Sequence, residues 1–380
     1  MTSQTPAGTT GIITVDLPQI ADNWRALARL TGPAACGAVV KANAYGLGSD
    51  RIIPTLAKAG CKTFFIATPD EAEQARAKAP NATIYALDGL LPGSAEDFAR
   101  LGIRPVLSSL AEVEIWSKLC KMRGTKLSCG LHIDTGLNRL GLPARDARRF
   151  ASDAQTRAAL DVTLVMSHLA CADKESDPKN RDQLLAFETL SALFPGVPRS
   201  LAASDGLMLG PTFHFDLVRP GYALYGGQAS VANPAPVAPA VTVAARILSV
   251  TGVAPGECVG YSATWRTTRP SRIATIAAGY ADGIPRSASS PDGRPGGQVL
   301  IGDALAPIVG RVSMDLITVD VTELAAGAAA PGAFATLIGP GLTGPGLTIE
   351  DAGYAASTIG YEILTRLGAR FERVYRDDGV

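Results

Sequence analysis

The chain has 380 residues, 47% of them hydrophobic and 18% charged, enough apolar mass for two or three globular domains with no need of disulfide staples. Its 35 Lys and Arg balance 35 Asp and Glu, which argues against nucleic acid or a membrane surface as its main partner, since both favour a basic excess. Six scattered cysteines without a CxxC pair and three dispersed histidines offer no zinc or disulfide framework, and we expect no metal site. Neither an 18-residue apolar run nor a leader pattern in MTSQTPAGTT is present, so the sequence predicts a cytoplasmic protein.

In chain order, an opening helix at DLPQIADNWRALARL precedes the first of eight short β-rich runs. These are GAVV (37–40), TFFIA (63–67), TIYAL (83–87), RPVL (104–107), LSCGLHI (127–133), VTLVM (162–166), SLAA (200–203) and FDLV (215–218). Helical patterns separate most of them, including PDEAEQARAKA and LAEVEIWSKLCKMRG. Pro69 with Asp70 and Glu71 reads as a helix start, because a first-turn proline and acidic residues suit the N-terminal dipole. Ser94 with Asp97 reads as a capping box.

Eight strands alternating with helices predict an α/β fold, a TIM-like (β/α)8 barrel. Lys41, Asp88, Ser108, Asp134, His168, Ser204 and Arg219 each follow a run closely. Polar groups at the C-terminal ends of barrel strands are where active sites are built, although polar residues also simply begin loops. Near residue 232 the Pro/Ala-rich string ANPAPVAPA reads as a linker. Beyond it, VTVAARILSVTGV, SRIATIAAGYADG, GQVLIGDALAPIVGRVSMDLITVDV and AFATLIG predict strands, TIEDAGYAASTIG a helix and ARFERVYR a last strand. The expected division is a barrel at 1–235 and a mainly β domain at 236–380.

The sharpest chemical signal is AVVKANAYGLG (38–48), a lysine at the end of an apolar strand. A lysine buried there sheds desolvation cost by losing its proton or by becoming an imine, which is how it becomes a Schiff-base nucleophile. Taken alone, Lys41 also reads as a snorkelling rim residue, Tyr261 as a packing aromatic, His168 as a structural histidine, Arg219 as a surface arginine before a turn and Met314 as core.

Longer strings decide between these readings. VVKANAYGLG resembles the pyridoxal-phosphate lysine motif of bacterial alanine racemases. The similarity continues through HIDTGLNRLG (132–141), SHLA (167–170), AASDGL (202–207), VRPGYALYG (218–226), VGYSATW (259–265), AAGYADG (277–283), VGRVSMD (309–315) and TIGYEIL (358–364), over roughly residues 11–376.

The resemblance implies a racemase that interconverts L- and D-alanine by a two-base mechanism on a pyridoxal 5'-phosphate aldimine. It also implies a homodimer with shared active sites and a product destined for peptidoglycan. Lys41 matches the lysine that carries the coenzyme and Tyr261 the second base, delivered to the partner subunit. Arg219 matches the arginine facing the pyridine nitrogen, and His168 the histidine supporting it. Tyr45, Ser204, Tyr361 and the backbone of Gly221 and Tyr222 match the phosphate cradle. Arg139 matches a residue near the coenzyme oxygen and the substrate carboxylate; Met314 and Asp315, again delivered to the partner subunit, match substrate contacts, and Tyr280 an entrance residue.

Arginine donates to the ring nitrogen without surrendering its proton, so the ring is a weaker electron sink and transamination is disfavoured. We expect positive charge held through His168 and Arg219 to favour the tyrosinate of Tyr261. Two positions depart from the family pattern. His132 stands where many members carry a carbamylated lysine, so His132, or an anion near it, is expected to position Arg139. Ser313 stands where cysteine is often found. On the same scaffold, a racemase of broader or different specificity (serine, lysine or arginine) is the alternative reading. A barrel-type decarboxylase would place an acid where Arg219 stands, and a non-catalytic coenzyme carrier would lack the second domain.

Overall fold

A computed structural model describes residues 8–377 apart from 229, 231 and 291–295; the segment in which the sequence shows no leader pattern lies mostly outside these. The chain divides into two units, one comprising Ile20–Val237, the other the segment through Gln19 together with Ala238–Val380.

In the first unit, seven parallel strands run in chain order: Ala38–Val39, Thr63–Ile66, Thr83–Ala86, Arg104–Leu107, Ser128–His132, Asp161–Met166 and Arg199–Ser200. Leu217–Val218 pairs in parallel with Ala35–Cys36, directly upstream of the first strand. The bonds on either side close the ring. The amides of Gly37 and Val39 donate to the carbonyls of Val218 and Pro220, and Asp216 and Arg219 donate to Arg199 and Ala202. All eight β runs read from the sequence are strands of this barrel. Their inner ends are uniformly buried, as in the BBB endings of TFFI, TIYA and RPVL, because helices cover a parallel sheet outside while side chains fill it inside.

Two local expectations differ. Pro69–Glu71 forms a 3-10 turn before the helix Ala72–Lys78, and the Glu71 carboxylate is used elsewhere, as shown below. Ser94 precedes the helix Ala95–Leu101 but forms no capping box; its hydroxyl donates backwards to the Leu91 carbonyl at 2.8 Å. With Ser94 already in helical backbone geometry, its oxygen is not presented to the first-turn amides. Ser109, in extended geometry, does cap Leu110–Arg123 by accepting from the Glu112 amide.

The second unit is built on the thirteen-residue strand Val241–Val253, whose first half alternates buried and half-buried residues, the period of a strand with one covered face. A register shift between Ile247 and Ser249 bends it. Before the bend it lies between Gly11–Asp16 and Phe334–Ile338; after it, it pairs with Ser271–Ile276. The hairpin Gln298–Ile301/Ala304–Pro307 and the strand Ile317–Asp320 extend the sheet. The segment read as one helix, TIEDAGYAASTIG, ends at Ala355, capped by Thr348 with Asp351; a separate helix, Gly360–Thr365, follows.

The strand Gly11–Asp16 does not figure in the sequence reading, which opened on a helix and assigned residues 1–235 to the barrel. It pairs antiparallel with Val241–Val253 and parallel with Glu372–Arg376. Its partners lie more than two hundred residues away, so no local hairpin signal marks it.

Candidate functional site

Lys41 follows the strand Ala38–Val39 and is half-buried. The four residues after it, Ala42, Asn43, Ala44 and Tyr45, all have left-handed backbone, with φ of 52, 54, 52 and 57°. Each non-glycine residue held there costs roughly 1–2 kcal/mol. Such strain persists only where the surroundings over-determine it. Two side chains supply that restraint. The Glu71 carboxylate accepts from the Ala42 amide at 2.6 Å and the Ala67 amide at 2.7 Å, and Asn43 Oδ1 accepts from the Ser49 amide and hydroxyl at 2.8 and 3.0 Å. Burial lowers the Lys41 pKa from the ordinary lysine value; Asp88 and Glu71 oppose the shift and Arg139 adds to it.

Arg219 follows the last barrel strand and is 2% exposed. Its Nη1 donates to Ser200 Oγ at 2.5 Å, and Nη2 donates to the carbonyls of Ser167 at 2.7 Å and Leu201 at 3.3 Å. Ser200 Oγ in turn donates to the Leu217 carbonyl. Burial pushes the Arg219 pKa down to about 9, which leaves the guanidinium charged at neutral pH. Among the described residues no carboxylate pairs with it, and Nε and one Nη1 hydrogen have no protein acceptor.

His168 and His132 stand at the ends of neighbouring strands, yet neither imidazole forms a hydrogen bond among the described residues. Burial, reinforced by Arg219 and Arg139, pushes His168 down to about 3. Burial and Arg219 push His132 to about 4 against the opposing pull of Asp134. Both rings are therefore neutral at pH 7. The Ser167 carbonyl accepts directly from the guanidinium, no hydrogen bond joins the His168 ring to it among the described residues, and the neighbouring positive charge of Arg219 helps to keep His168 neutral.

Arg139 is exposed and forms neither a hydrogen bond nor an ion pair among the described residues, so His132 does not hold it directly. What sets its place is the turn before it. Asp134 Oδ1 accepts from the amides of Gly136, Leu137 and Asn138 at 2.9, 3.1 and 3.1 Å.

Ser204 Oγ accepts from the amides of Gly221 and Ala223 at 3.0 and 3.2 Å. These amides open the 3-10 turn Tyr222–Tyr225, and Ser204 opens the helix Ser204–Met208. A Cβ at Gly221 would collide with the Tyr45 hydroxyl, so only glycine leaves that backbone open. Tyr45 is buried, its ring packed 5.0 Å from that of Tyr225, whose hydroxyl donates to the Val39 carbonyl at 3.1 Å. Burial, with Asp205 adding to it, raises the Tyr45 pKa and keeps the phenol neutral.

Together these groups fit pyridoxal phosphate. A lysine stands ready for the aldehyde, a buried cation with free N–H donors can face the ring nitrogen, and the Ser204 hydroxyl beside the backbone that Gly221 leaves open suits a phosphate.

The remaining sequence-predicted residues lie in the second unit. Tyr261 stands on a 3-10 turn and is 71% exposed, followed by left-handed Ser262 and Ala263. Tyr280 and Ala281 donate their amides to the carbonyls of Ser313 and Met314, both at 3.0 Å, which brings Tyr280, Met314 and Asp315 together. Arg370 donates to both carboxylate oxygens of Asp282 at 2.8 Å and to Asp315 at 2.6 Å. Tyr361 lies in Gly360–Thr365.

The sequence reading did not single out Glu71, Asp282, Arg370 or Gln183 as site residues. Glu71 left a trace, a carboxylate five residues beyond a strand end. Glu112 repeats it, accepting from the Ser108 amide. Gln183 left only an amide inside a polar helix pattern.

Comparison with known proteins places these groups in context. The family model for the alanine racemase N-terminal domain matches residues 15–229, and that for the C-terminal domain residues 240–375. An alanine racemase of a Methylobacterium species is 46% identical over 99% of this chain and 100% of its own length. A biosynthetic alanine racemase of Agrobacterium fabrum is 43% identical, covering 96% and 93%. Among solved structures, that of alanine racemase from Bartonella henselae with covalently bound pyridoxal phosphate superposes with a TM-score of 0.90 at 40% identity, covering 98% of this chain and all of that one.

Proposed function

Since the chain belongs to the alanine racemase family, we propose that it interconverts L- and D-alanine with Lys41 and Tyr261 as the two proton-transferring groups. Its coenzyme is pyridoxal 5'-phosphate, which when bound delocalises the electron pair left on Cα after deprotonation. Lys41 holds the coenzyme and works one face of Cα, its lowered pKa favouring the neutral amine that accepts a proton. Tyr261 works the opposite face, and its exposed phenol suits delivery to a partner subunit. Arg219 donates to the ring nitrogen, while Ser204, Tyr45, Tyr361 and the backbone of Gly221 and Tyr222 hold the phosphate. Arg139 receives the substrate, Met314 and Asp315 reach the substrate in the partner subunit, and Tyr280 guards the entrance. The barrel and β units then have distinct tasks, coenzyme binding in one and delivery of the second base in the other.

The observation that carries this reading is the buried, carboxylate-free Arg219 at the barrel mouth that Lys41 shares. A guanidinium that keeps its proton at neutral pH cannot protonate the ring fully, so charge stays near Cα, where racemisation needs it. We place the enzyme in the cytoplasm as a homodimer that supplies D-alanine to peptidoglycan, in keeping with the word biosynthetic in the relative's name. The test is chiral chromatography of L-alanine incubated with the purified protein, with and without added pyridoxal phosphate. Serine, lysine and arginine run alongside report specificity. Retention of L-configuration in the alanine arm with coenzyme present would refute the proposal.

A further inference from the structure

We propose that Gln183 is a positioning residue for Arg219, acting through the Ser167–Ala170 segment, and that its loss loosens the coenzyme. The inference rests on the reading that Arg219 faces the coenzyme ring. Gln183 sits in the helix Pro178–Ser191 and is 0% exposed. A fully buried amide costs several kcal/mol unless its hydrogen bonds are met. Here they are. Oε1 accepts from the Ala170 amide at 2.8 Å, and Nε2 donates to the His168 carbonyl at 2.9 Å and to Thr135 Oγ1 at 3.2 Å. The amide is thereby oriented, because flipping it would set N–H against N–H and carbonyl against carbonyl.

The contacts form a chain to the guanidinium. Thr135 Oγ1 and Ser167 Oγ share a hydrogen bond of 2.8 Å, and the Ser167 carbonyl is the 2.7 Å acceptor of Arg219 Nη2. Ser167 is buried too, its amide donating to the Ser200 carbonyl. One side chain therefore fixes the peptide groups on both sides of Leu169 and, through Thr135 and the Ser167 hydroxyl, ties them to the residue whose carbonyl holds Arg219. Rotation of the Ser167–His168 peptide would remove the acceptor that aims Arg219. Asn180, one helical turn earlier on the same face, pins the segment farther on through the carbonyls of Cys171 and Lys174, at 3.1 and 2.9 Å. Among the described residues it touches nothing that reaches Arg219, and it serves as a control for loop stability alone.

The experiment measures the pyridoxal phosphate dissociation constant, the visible absorption spectrum and the thermal midpoint of the coenzyme-free protein for wild type, Gln183→Leu, Thr135→Val, their double variant and Asn180→Leu. Gln183→Leu is expected to weaken coenzyme binding about tenfold or more and to shift the spectrum. Thr135→Val should do the same to a smaller degree, and the double variant should be no worse than Gln183→Leu alone, since both act through one chain. Asn180→Leu should lower the thermal midpoint without moving affinity or spectrum. Wild-type affinity and spectrum in folded Gln183→Leu, or in Thr135→Val if Gln183→Leu does not fold, would overturn the inference, as would an equal effect of Asn180→Leu. Wild type that never binds the coenzyme would sink the reading of Arg219 as well, whereas binding in wild type with indifferent variants sinks this inference alone.

Discussion

Lys41 and Tyr261 are the two residues whose removal should separate binding from chemistry. Lys41→Ala is expected to abolish the absorbance band of the lysine-bound coenzyme and all turnover. Tyr261→Phe should keep the absorbance but lose about 10²- to 10⁴-fold in kcat, the usual share of a positioned acid–base group; unchanged kcat would remove Tyr261 from the mechanism. The buried histidines make a thermodynamic prediction. His132 is held at about 4, below its ordinary 6.5. Above pH 6.5 both folded and unfolded forms are neutral there and nothing is lost. Between 6.5 and 4 only the unfolded chain gains the proton, so stability falls on acidification by about 1.4 kcal/mol for each pH step crossed, of order 3 kcal/mol in all. His132→Gln should reduce the acid slope of the pH profile in urea unfolding by this share, leaving the share that His168 contributes over the same range. An unchanged acid slope would show that the ring is not held neutral.

The left-handed turn after Lys41 exists because other elements impose it. The helical propensity of KANAY does not, since alanine favours right-handed helix. Glu71 is the main restraint, joining the Lys41 turn to the end of Thr63–Ile66 with one carboxylate. Glu71→Ala is expected to destabilise the protein by about 2–3 kcal/mol, since two amides lose a charged acceptor. It should also slow coenzyme capture, as measured by the rise of visible absorbance after mixing. In the second unit, Arg370 clamps the Tyr280 turn to Asp315 through buried Asp282. Removing one partner of such a pair strands the other charge. Arg370→Met should therefore raise the KM for alanine while leaving the coenzyme spectrum as it was; a normal KM would show that the clamp is structural only.

At the scale of the whole molecule, large apolar groups lie open on the second unit, including Tyr261 at 71%, Met314 at 53% and Ile359 at 63%. Their exposure is what the proposed homodimer would cover. Mixing Lys41→Ala with Tyr261→Phe subunits tests the shared site. If each site draws Lys41 from one protomer and Tyr261 from the other, random exchange gives half heterodimers, each with one intact site, so about a quarter of wild-type activity should return. Two inactive proteins that stay inactive after exchange, verified by native mass spectrometry, would show that no site is shared. Among the described residues no helix is long and apolar enough to cross a membrane.

The eight barrel strands, the helices between them and the strand-end residues Lys41, His168, Ser204 and Arg219 were legible in the sequence, because hydrophobic period and chain order are local properties and the strings around these residues resemble one family closely. The strand Gly11–Asp16 was not, since its partners at Val241–Val253 and Glu372–Arg376 are remote in the chain and no turn announces the pairing. The backbone sign of Ala42–Tyr45 was equally hidden, being dictated by Glu71 and Asn43 against the preference of the residues themselves. Only the tertiary structure shows that burial pushes His132 and His168 towards the neutral form, that the Ser167 carbonyl accepts from Arg219, and that Gln183 is buried against the His168 carbonyl. A sequence specifies which groups are available; desolvation and hydrogen-bond satisfaction, which depend on everything packed around a group, determine its charge and its direction.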